Sequence, residues 1–500
     1  MRRITQHAVL LCLLFQLVAL PAFAEKNLSA DVVVIGGGGS GIVAAYAVAQ
    51  GGAQSVIVLE KQPAIGGTAK YAEGIFAADS KIQQERNILL PKDDAFKMIM
   101  NYSHWRANAK LVRAFVDKSP ETIEWLQTQG VEFAELTSNY PGGLQSWHIF
   151  NGRGKGMLDV LTQKFPEMNI QIMTETPGKD LIIKDGVVAG VVAENRDGET
   201  LNIHAKAVIV ATGGFLNNKE MMSKYTRFPD VIPVGNVGKT GDGIQMMLSA
   251  DAATEGMEVV QSYRPGLSGE PTTSHLLASV RQPYLWVDTK GERFCDEMVI
   301  FQWPFAGNAL ERSGGLMFAI YDANTKKYMI EDGIDVGVGV MVPVKTKLAN
   351  LDKDLQRGIA NNVAFTADTI EGLAEKMGAP IDNLKETIEL YNSFAQQKHD
   401  GQFAKDPKYL RAVVTPPFFA VEARPMALGT LGGAKVTQDM QVLSTQGNVI
   451  PGLYAVGNDA GGMYGDSYDL LMAGSTIGFA VNSGRMAAEH AAEYIKTVQQ

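Results

Sequence analysis

Cysteine is almost missing from this chain: two in 500 residues, Cys12 and Cys295. Cys12 sits in an N-terminal segment read below as a leader. That leaves one thiol, no intramolecular disulfide and no C-x-x-C-H site for a c-type haem. The seven histidines stand singly, none at metal-ligand spacing, so a metal site has little support. There is no repeat and no low-complexity tract. Basic residues are not in excess, with 45 Lys+Arg against 54 Asp+Glu for a net charge of −9. This balance argues against nucleic acid and supplies no polybasic membrane anchor. The apolar run at residues 8–20 is too short to cross a bilayer comfortably, so no integral membrane protein is expected.

That run follows Arg2 and Arg3 and leads into Pro21-Ala22-Phe23-Ala24. A charged start, a short apolar stretch and a small-x-small site make residues 1–24 a cleaved secretory signal, with a periplasmic destination. An uncleaved anchor is the alternative. The adjacent arginines permit twin-arginine export, although their surroundings fit that signal poorly.

What remains is of ordinary globular composition, 46% hydrophobic and 20% charged, and long enough for two or three packed units. Residues 31–35 form an apolar run ending in Gly36-Gly37-Gly38-Gly39-Ser40-Gly41. Residues 42–50 then have helical character, and the run 55–59 ends at Glu60. In Gly36-x-Gly38-x-x-Gly41 the first glycine allows a tight turn and the second lets a pyrophosphate approach the backbone. The third permits close helix–strand packing. The helix starting near Ser40 aims free amides at the phosphates, and Glu60 stands where a carboxylate binds ribose hydroxyls. Strands are expected at 169–173, 181–192 and 207–211. Helices are expected at 109–129, with Leu111, Phe115, Ile123, Trp125 and Leu126 as core, at 381–397 and from 474 to 495. The middle, 259–427, differs in texture, and glycine-rich turns return after it. The expected organisation is a nucleotide-binding domain (25–258 and 428–500) interrupted by an insertion (259–427).

Several segments resemble soluble fumarate reductases and flavocytochromes c, in that family's order from residue 30 almost to the end. They are Lys61-Gln62-Pro63-Ala64-Ile65-Gly66-Gly67-Thr68-Ala69-Lys70, Val208-Ile209-Val210-Ala211-Thr212-Gly213-Gly214-Phe215 and Thr240-Gly241-Asp242-Gly243. Ile450-Pro451-Gly452-Leu453-Tyr454-Ala455-Val456-Gly457-Asn458 and Gly474-Ser475-Thr476-Ile477 follow. The resemblance implies an α/β fold: a Rossmann-like FAD-binding domain interrupted by an α+β capping, or clamp, domain. It implies FAD contacts at Lys61, Gly66, Gly67, Thr68, Gly74, Gly213, Asp242, Asn458, Ser475, Thr476 and Ile477. No histidine lies between Glu60 and Ser80 to match the covalent linkage of the membrane-bound branch, so the FAD is expected to be non-covalent.

By the same resemblance, Gly291-Glu292-Arg293-Phe294 holds the proton-donating arginine, Arg293, and Arg281 matches a relay arginine. The alternative for Arg293 is an ion pair with Asp296 or Glu297. The family's relay glutamate falls at Ala278, and its paired histidines become Leu428-Gly429, just before Thr430. Arg264-Pro265 replaces a histidine–proline pair, and Tyr468 or Asp469 occupies the stretch of a missing carboxylate-binding arginine. Arg264, Gly429, Thr430 and Tyr468 are therefore the candidate substrate contacts, with Tyr263, Tyr284, His148 and His275 as further pocket candidates. Met472 joins Tyr468 as a candidate apolar wall. The expected activity is hydride transfer from FAD to an activated C=C bond of an unsaturated acid other than fumarate. Electrons are expected from a separate cytochrome c or quinol-linked membrane cytochrome. A ketosteroid-dehydrogenase-like FAD desaturase or ene-reductase, with an enone as the small molecule, and a non-catalytic flavin electron carrier are the competing readings.

Overall fold

In the computed structural model, residues 25–139, 142–337 and 342–498 are described. The leader reading, and Cys12 with it, lies outside those residues.

The chain opens with β1 (Lys26–Ile35), α1 (Gly39–Gln50), β2 (Val56–Leu59) and the short β3 (Gly74–Phe76). After α2 (Ala109–Gln129) come β4 (Ile170–Met173), β5 (Gly178–Lys184), β6 (Val187–Glu194) and β7 (Thr200–Val210). Next are β8 (Val260–Gly266), β9 (Leu285–Asp288), α3 (Trp303–Arg312), β10 (Met317–Tyr321) and α4 (Ile381–Gln397). The chain returns through β11 (Phe418–Thr430) and ends with β12 (Val449–Ala455) and α5 (Ser475–Thr497).

The main sheet runs β12–β7–β1–β2–β4, all parallel along that path. Val32, Val33, Val34 and Ile35 are all buried, as a parallel strand covered on both faces requires. Helix α1 is buried nearly all round because α5 packs on it. Gly484 of α5 comes so close that a Cβ there would sit 2.6 Å from the Ser40 carbonyl.

The single strand expected at 181–192 is instead the hairpin β5–β6. It turns at Asp185-Gly186, both at positive φ, a dipeptide suited to a tight hairpin. Helix α2 spans the expected residues, capped by the Asn108 side chain and ended by Gly130 at φ 100°. Leu111, Phe115, Ile123 and Leu126 are buried as expected. Trp125 is only half buried, and its indole N–H donates to Gln50 Oε1 at 2.8 Å.

The cap has its own sheet, with β11 as its spine between β8, β10 and other short strands. Alternation divides its side chains. Trp286, Ala319, Tyr321, Phe419 and Val421 feed one apolar cluster, while Leu285, Val287, Phe318, Ile320 and Ala420 feed another. The entering strand β8 and the leaving strand β11 pair antiparallel, so both polypeptide crossings between the two units are one hydrogen-bonded ribbon. Beside that ribbon lies the principal cavity.

Candidate active site

The glycine turn is built as its spacing demands. Gly36 is at φ 114°, and a Cβ on it would lie 2.2 Å from the Ala211 carbonyl oxygen. A Cβ on Gly41 would lie 1.9 Å from Gly36 O, so this glycine serves packing and does not line the cavity. Gly38 would have nothing within 4 Å of an added Cβ and faces a cavity of about 630 Å³. It also caps α1 without any side-chain hydrogen bond, leaving the first amides of the helix free for an anion. Ser40 lines the same wall.

Glu60 accepts from Gly37 N at 2.9 Å and from Gln62 N at 2.8 Å, which fixes its carboxylate at the cavity wall. Lys61 pairs with Asp242 at 2.6 Å, and both line the cavity, as do Gly67, Thr68, Gly74, Gly213 and Asn458. Gly66 stays off the wall and shapes the turn by donating to Gly37 O at 2.8 Å.

Helix α5 begins after Gly474 (φ 80°), where a Cβ would meet Trp147 at 2.7 Å and Gly74 O at 2.8 Å. Thr476 and Ile477 border the cavity. Ser475 is buried beside the Tyr464 and Tyr468 phenols instead, because this first residue of the helix points away from the cavity.

Sequence reasoning missed Asp459. It is fully buried and accepts from Thr212 N, Thr212 Oγ1 (3.0 Å), Gly213 N (3.0 Å) and Gly214 N (3.1 Å), clamping the end of β7. Burial pushes its carboxyl pKa up, against the pull of those donors. An acid directly after Gly457-Asn458 was the available signal.

A pyrophosphate fits the open side of Gly38 and the start of α1, and ribose hydroxyls fit Glu60. These residues would hold FAD.

Beyond them the cavity ends against the cap. Tyr263 and Trp303 meet edge to face with centroids 4.8 Å apart, and Trp303 lies 6.0 Å from Tyr468. Arg281 is fully buried. Its Nε donates to Pro265 O at 2.9 Å, its guanidinium lies 5.2 Å from the Tyr263 ring centre, and its Nη1 has no hydrogen-bond partner among the described residues. Burial lowers its pKa to about 10. Arg264 donates to Gly337 O at 2.5 Å and lies 5.9 Å from both the Tyr263 and Trp303 rings. All five of these side chains line the cavity.

Other expected contacts sit elsewhere. Arg293 is locked in the cap, its fork on Glu297 at 2.7 and 2.8 Å and on Asp400 at 2.8 and 2.9 Å, with its side chain 1% exposed. It does not reach the cavity. Thr430 is buried and accepts from Phe215 N at 3.0 Å, a structural tie. Gly429 faces the Asn458 amide, which a Cβ would approach to 2.7 Å. Met472 is fully buried off the wall. Tyr284 donates to Asp335, His148 bonds Ser80, and His275 accepts from Asn350 N, all away from the cavity. Among the described residues no cluster of His, Cys, Asp or Glu could hold a metal ion, and no helix is long and apolar enough to cross a membrane.

Fold and site define an FAD-dependent oxidoreductase. Residues 31–471 match the family described as FAD binding domain. Over 483 residues the protein is 38% identical to a vinyl phenol reductase of Lactiplantibacillus plantarum, covering 94% of this sequence and 97% of that one. It is 28% identical over 472 residues to a fumarate reductase (cytochrome) of Shewanella frigidimarina, covering 93% and 77%. In fold it resembles a 3-ketosteroid delta1-dehydrogenase from Sterolibacterium denitrificans, with TM-score 0.76, 22% identity, and coverage of 93% and 99%. The chain belongs to the FAD-binding-domain family, in its soluble fumarate-reductase-like group, and its chemistry is FAD-dependent reduction of C=C bonds.

Proposed function

We propose that this enzyme reduces the olefinic bond of an aryl alkene carrying a hydroxyl or a single acidic group, such as a vinyl phenol or an aryl acrylate. The observation that carries this reading is the aromatic wall of Tyr263, Trp303 and Tyr468 beside Arg264 and Arg281 at one end of the cavity. Aromatic faces hold a ring by stacking and edge contacts. The Arg264 guanidinium binds the oxygen substituent, for which Arg is well suited. A dicarboxylate needs cations at both ends, because an unpaired buried charge is very costly. Here Arg264 and Arg281 stand together at the aromatic end, while Lys61 of the same cavity is paired with Asp242 and Lys239 is held by two backbone carbonyls. The 38% identity to a vinyl phenol reductase supports the same substrate class.

Reduced FAD supplies the hydride for one alkene carbon. Arg281 gives a proton to the other carbon from its unpartnered Nη1, and solvent restores it through Tyr263, so C=C becomes CH–CH with charge balanced. Arg281 takes this role in place of Arg293 because Arg281 lines the cavity and its Nη1 has no hydrogen-bond partner among the described residues, whereas Arg293 does not line it. Tyr263, Trp303 and Tyr468 orient the ring and exclude water.

The FAD is held non-covalently, which acid precipitation would reveal as flavin released into the supernatant. The enzyme works in the periplasm after loss of residues 1–24, with electrons from a separate cytochrome c or quinol-linked membrane cytochrome. Slow turnover of the purified protein with NADH alone is the corresponding expectation.

The test is anaerobic reduction of the purified FAD protein, then stopped-flow reoxidation by 4-vinylphenol, cinnamate, urocanate, crotonate and fumarate. The aryl alkenes should reoxidise it fastest. Fumarate as the best acceptor would overturn this reading of the pocket.

A further inference from the structure

The chemistry above leaves a cavity-lining cation, Lys239, without a task. It stands directly before Thr240-Gly241-Asp242-Gly243 and is 5% exposed. Its side chain passes the Gly213 turn, with Cγ 3.8 Å from the place of a Gly213 Cβ. Its ammonium donates to Val234 O and Leu428 O at 2.7 Å each. An ammonium has three protons, and these two acceptors are neutral carbonyls. Two other buried cations have carboxylates, Arg293 with Glu297 and Asp400 and Lys405 with Glu297 at 3.1 Å, whereas Arg281, like Lys239, has none among the described residues. Burial alone lowers its pKa, to about 8, with no neighbouring charge opposing it.

A buried ammonium served only by carbonyls is expensive unless an anion joins it. Lys239, Val234 and Leu428 all line the cavity; Val234 adjoins Gly235, which packs on Thr68 beside Gly67 and Gly38, and Leu428 follows Ala427, which pairs with Ser262 next to Tyr263. A flavin ring whose pyrophosphate is held at the start of α1 would extend along this stretch. We propose that Lys239 is the counter-charge of the reduced flavin ring, favouring the reduced cofactor over the neutral oxidised one and so raising its reduction potential. Two electrons from an external donor and one proton convert the neutral ring to a singly negative one at neutral pH. Lys239 keeps its own proton and meets that charge, at a dielectric low enough for the attraction to matter. The inference holds for any alkene substrate.

The experiment is anaerobic spectroelectrochemical titration of the FAD-loaded protein, with the affinity of each apoprotein for oxidised FAD measured alongside. Lys239→Gln keeps amide protons for the two carbonyls and drops the charge; Lys239→Met drops both; Lys239→Arg keeps the charge. The Gln and Met variants should favour the reduced form at least about tenfold less, roughly 30 mV lower in potential for a two-electron couple. Their affinity for oxidised FAD should change only a few-fold, and the Arg variant should stay near the native potential. An unchanged potential in Lys239→Gln would make the lysine a strut between Val234 and Leu428. Loss of oxidised FAD from both neutral variants, or failure of both to fold, would assign it to the pyrophosphate or to loop packing. Any of these results overturns the proposal.

Discussion

Arg293 and Asp400 stand 107 residues apart in sequence and meet inside the cap, guanidinium to carboxylate, at 2.8 and 2.9 Å. Glu297 takes the other side of the fork, and Lys405 reaches Glu297 at 3.1 Å. Burial opposes the Asp400 charge, but Arg293 and the amides of Gln402, Lys405 and Phe403 hold its carboxyl well below the usual range. A depressed carboxyl adds stability that is present above its unfolded pKa, about 3.9, and disappears as pH falls through the folded value. Asp400→Asn should therefore lower stability at pH 7 by about 3–5 kcal/mol, the usual cost of stranding a buried partner. It should also flatten the acid limb of a stability–pH curve measured by denaturant unfolding. An unchanged acid limb would show that Asp400 does not drive the acid transition.

The roles proposed for the two arginines can be separated by substitution. Arg281→Met keeps an apolar filling beside Met426 but removes the free N–H on the cavity. Reoxidation of the reduced protein by an aryl alkene should slow by about 10²–10⁴-fold, the range for losing a positioned proton donor. FAD content should stay native. Arg293→Lys should weaken the cap, yet leave the rate per folded molecule within a few-fold. If Arg293→Lys is the slow variant and Arg281→Met is not, the roles are reversed.

The glycine turn was legible in the sequence because backbone geometry dictates residue type at fixed spacing. Gly36, Gly38 and Gly41 each do what their positions require. Glu60 was legible for the same reason, since it follows β2 directly. The positions of Arg293 and Arg281 relative to the cavity were not. Both sit in segments resembling the family's catalytic ones, and the difference is made by Asp400, which arrives from the loop after α4. Trp303 and Tyr263 come from different elements and carry no local pattern, so the aromatic wall emerges only when α3 packs on β8. The β5–β6 hairpin was readable from Asp185-Gly186, but two β-rich runs on either side merged into one expected strand.

Asp469 presents the opposite titration to Asp400. It is buried, and burial raises its carboxyl to about 7, only partly offset by the amides of Leu471 and Met472. One of its oxygens has no hydrogen-bond partner among the described residues. A carboxyl raised in the folded state makes the protein less stable as pH climbs from the unfolded pKa, about 3.9, to the folded one. Asp469→Asn keeps the oxygen that accepts from Leu471 N at 2.8 Å and deletes the charge. It should raise stability by a few kcal/mol at pH 8, about 1.4 kcal/mol for each pKa unit, and by almost nothing at pH 4. Urea melts at the two pH values decide it. Equal effects at both would show that the charge is not what the substitution removes.

Gly36 and Gly38, neighbours in the same turn, should fail in different ways, and that contrast tests the cofactor assignment without any substrate. Gly36 is at φ 114°, and a Cβ on it would lie 2.2 Å from the Ala211 oxygen and 2.7 Å from its carbon. Those atoms are backbone at the end of β7 and cannot step aside, so Gly36→Ala combines strain with a clash between the central strands. It should cost several kcal/mol of stability, on the scale of core overpacking plus a disfavoured φ, about 2–5 kcal/mol. Gly38 is at φ −84°, comfortable for alanine, and has nothing within 4 Å of the new methyl. In the protein without cofactor, Gly38→Ala should therefore melt within about 0.5 kcal/mol of native, as a strain-free exposed change does. The methyl does occupy the space through which the pyrophosphate reaches the amides of α1. Removing that approach should weaken FAD binding by at least about tenfold, about 1.4 kcal/mol, since each lost charge-assisted hydrogen bond contributes on this scale. Fluorescence titration of apoprotein with FAD, beside thermal melts of the same apoprotein, gives both numbers. Native FAD affinity in Gly38→Ala would place the phosphates elsewhere along the cavity.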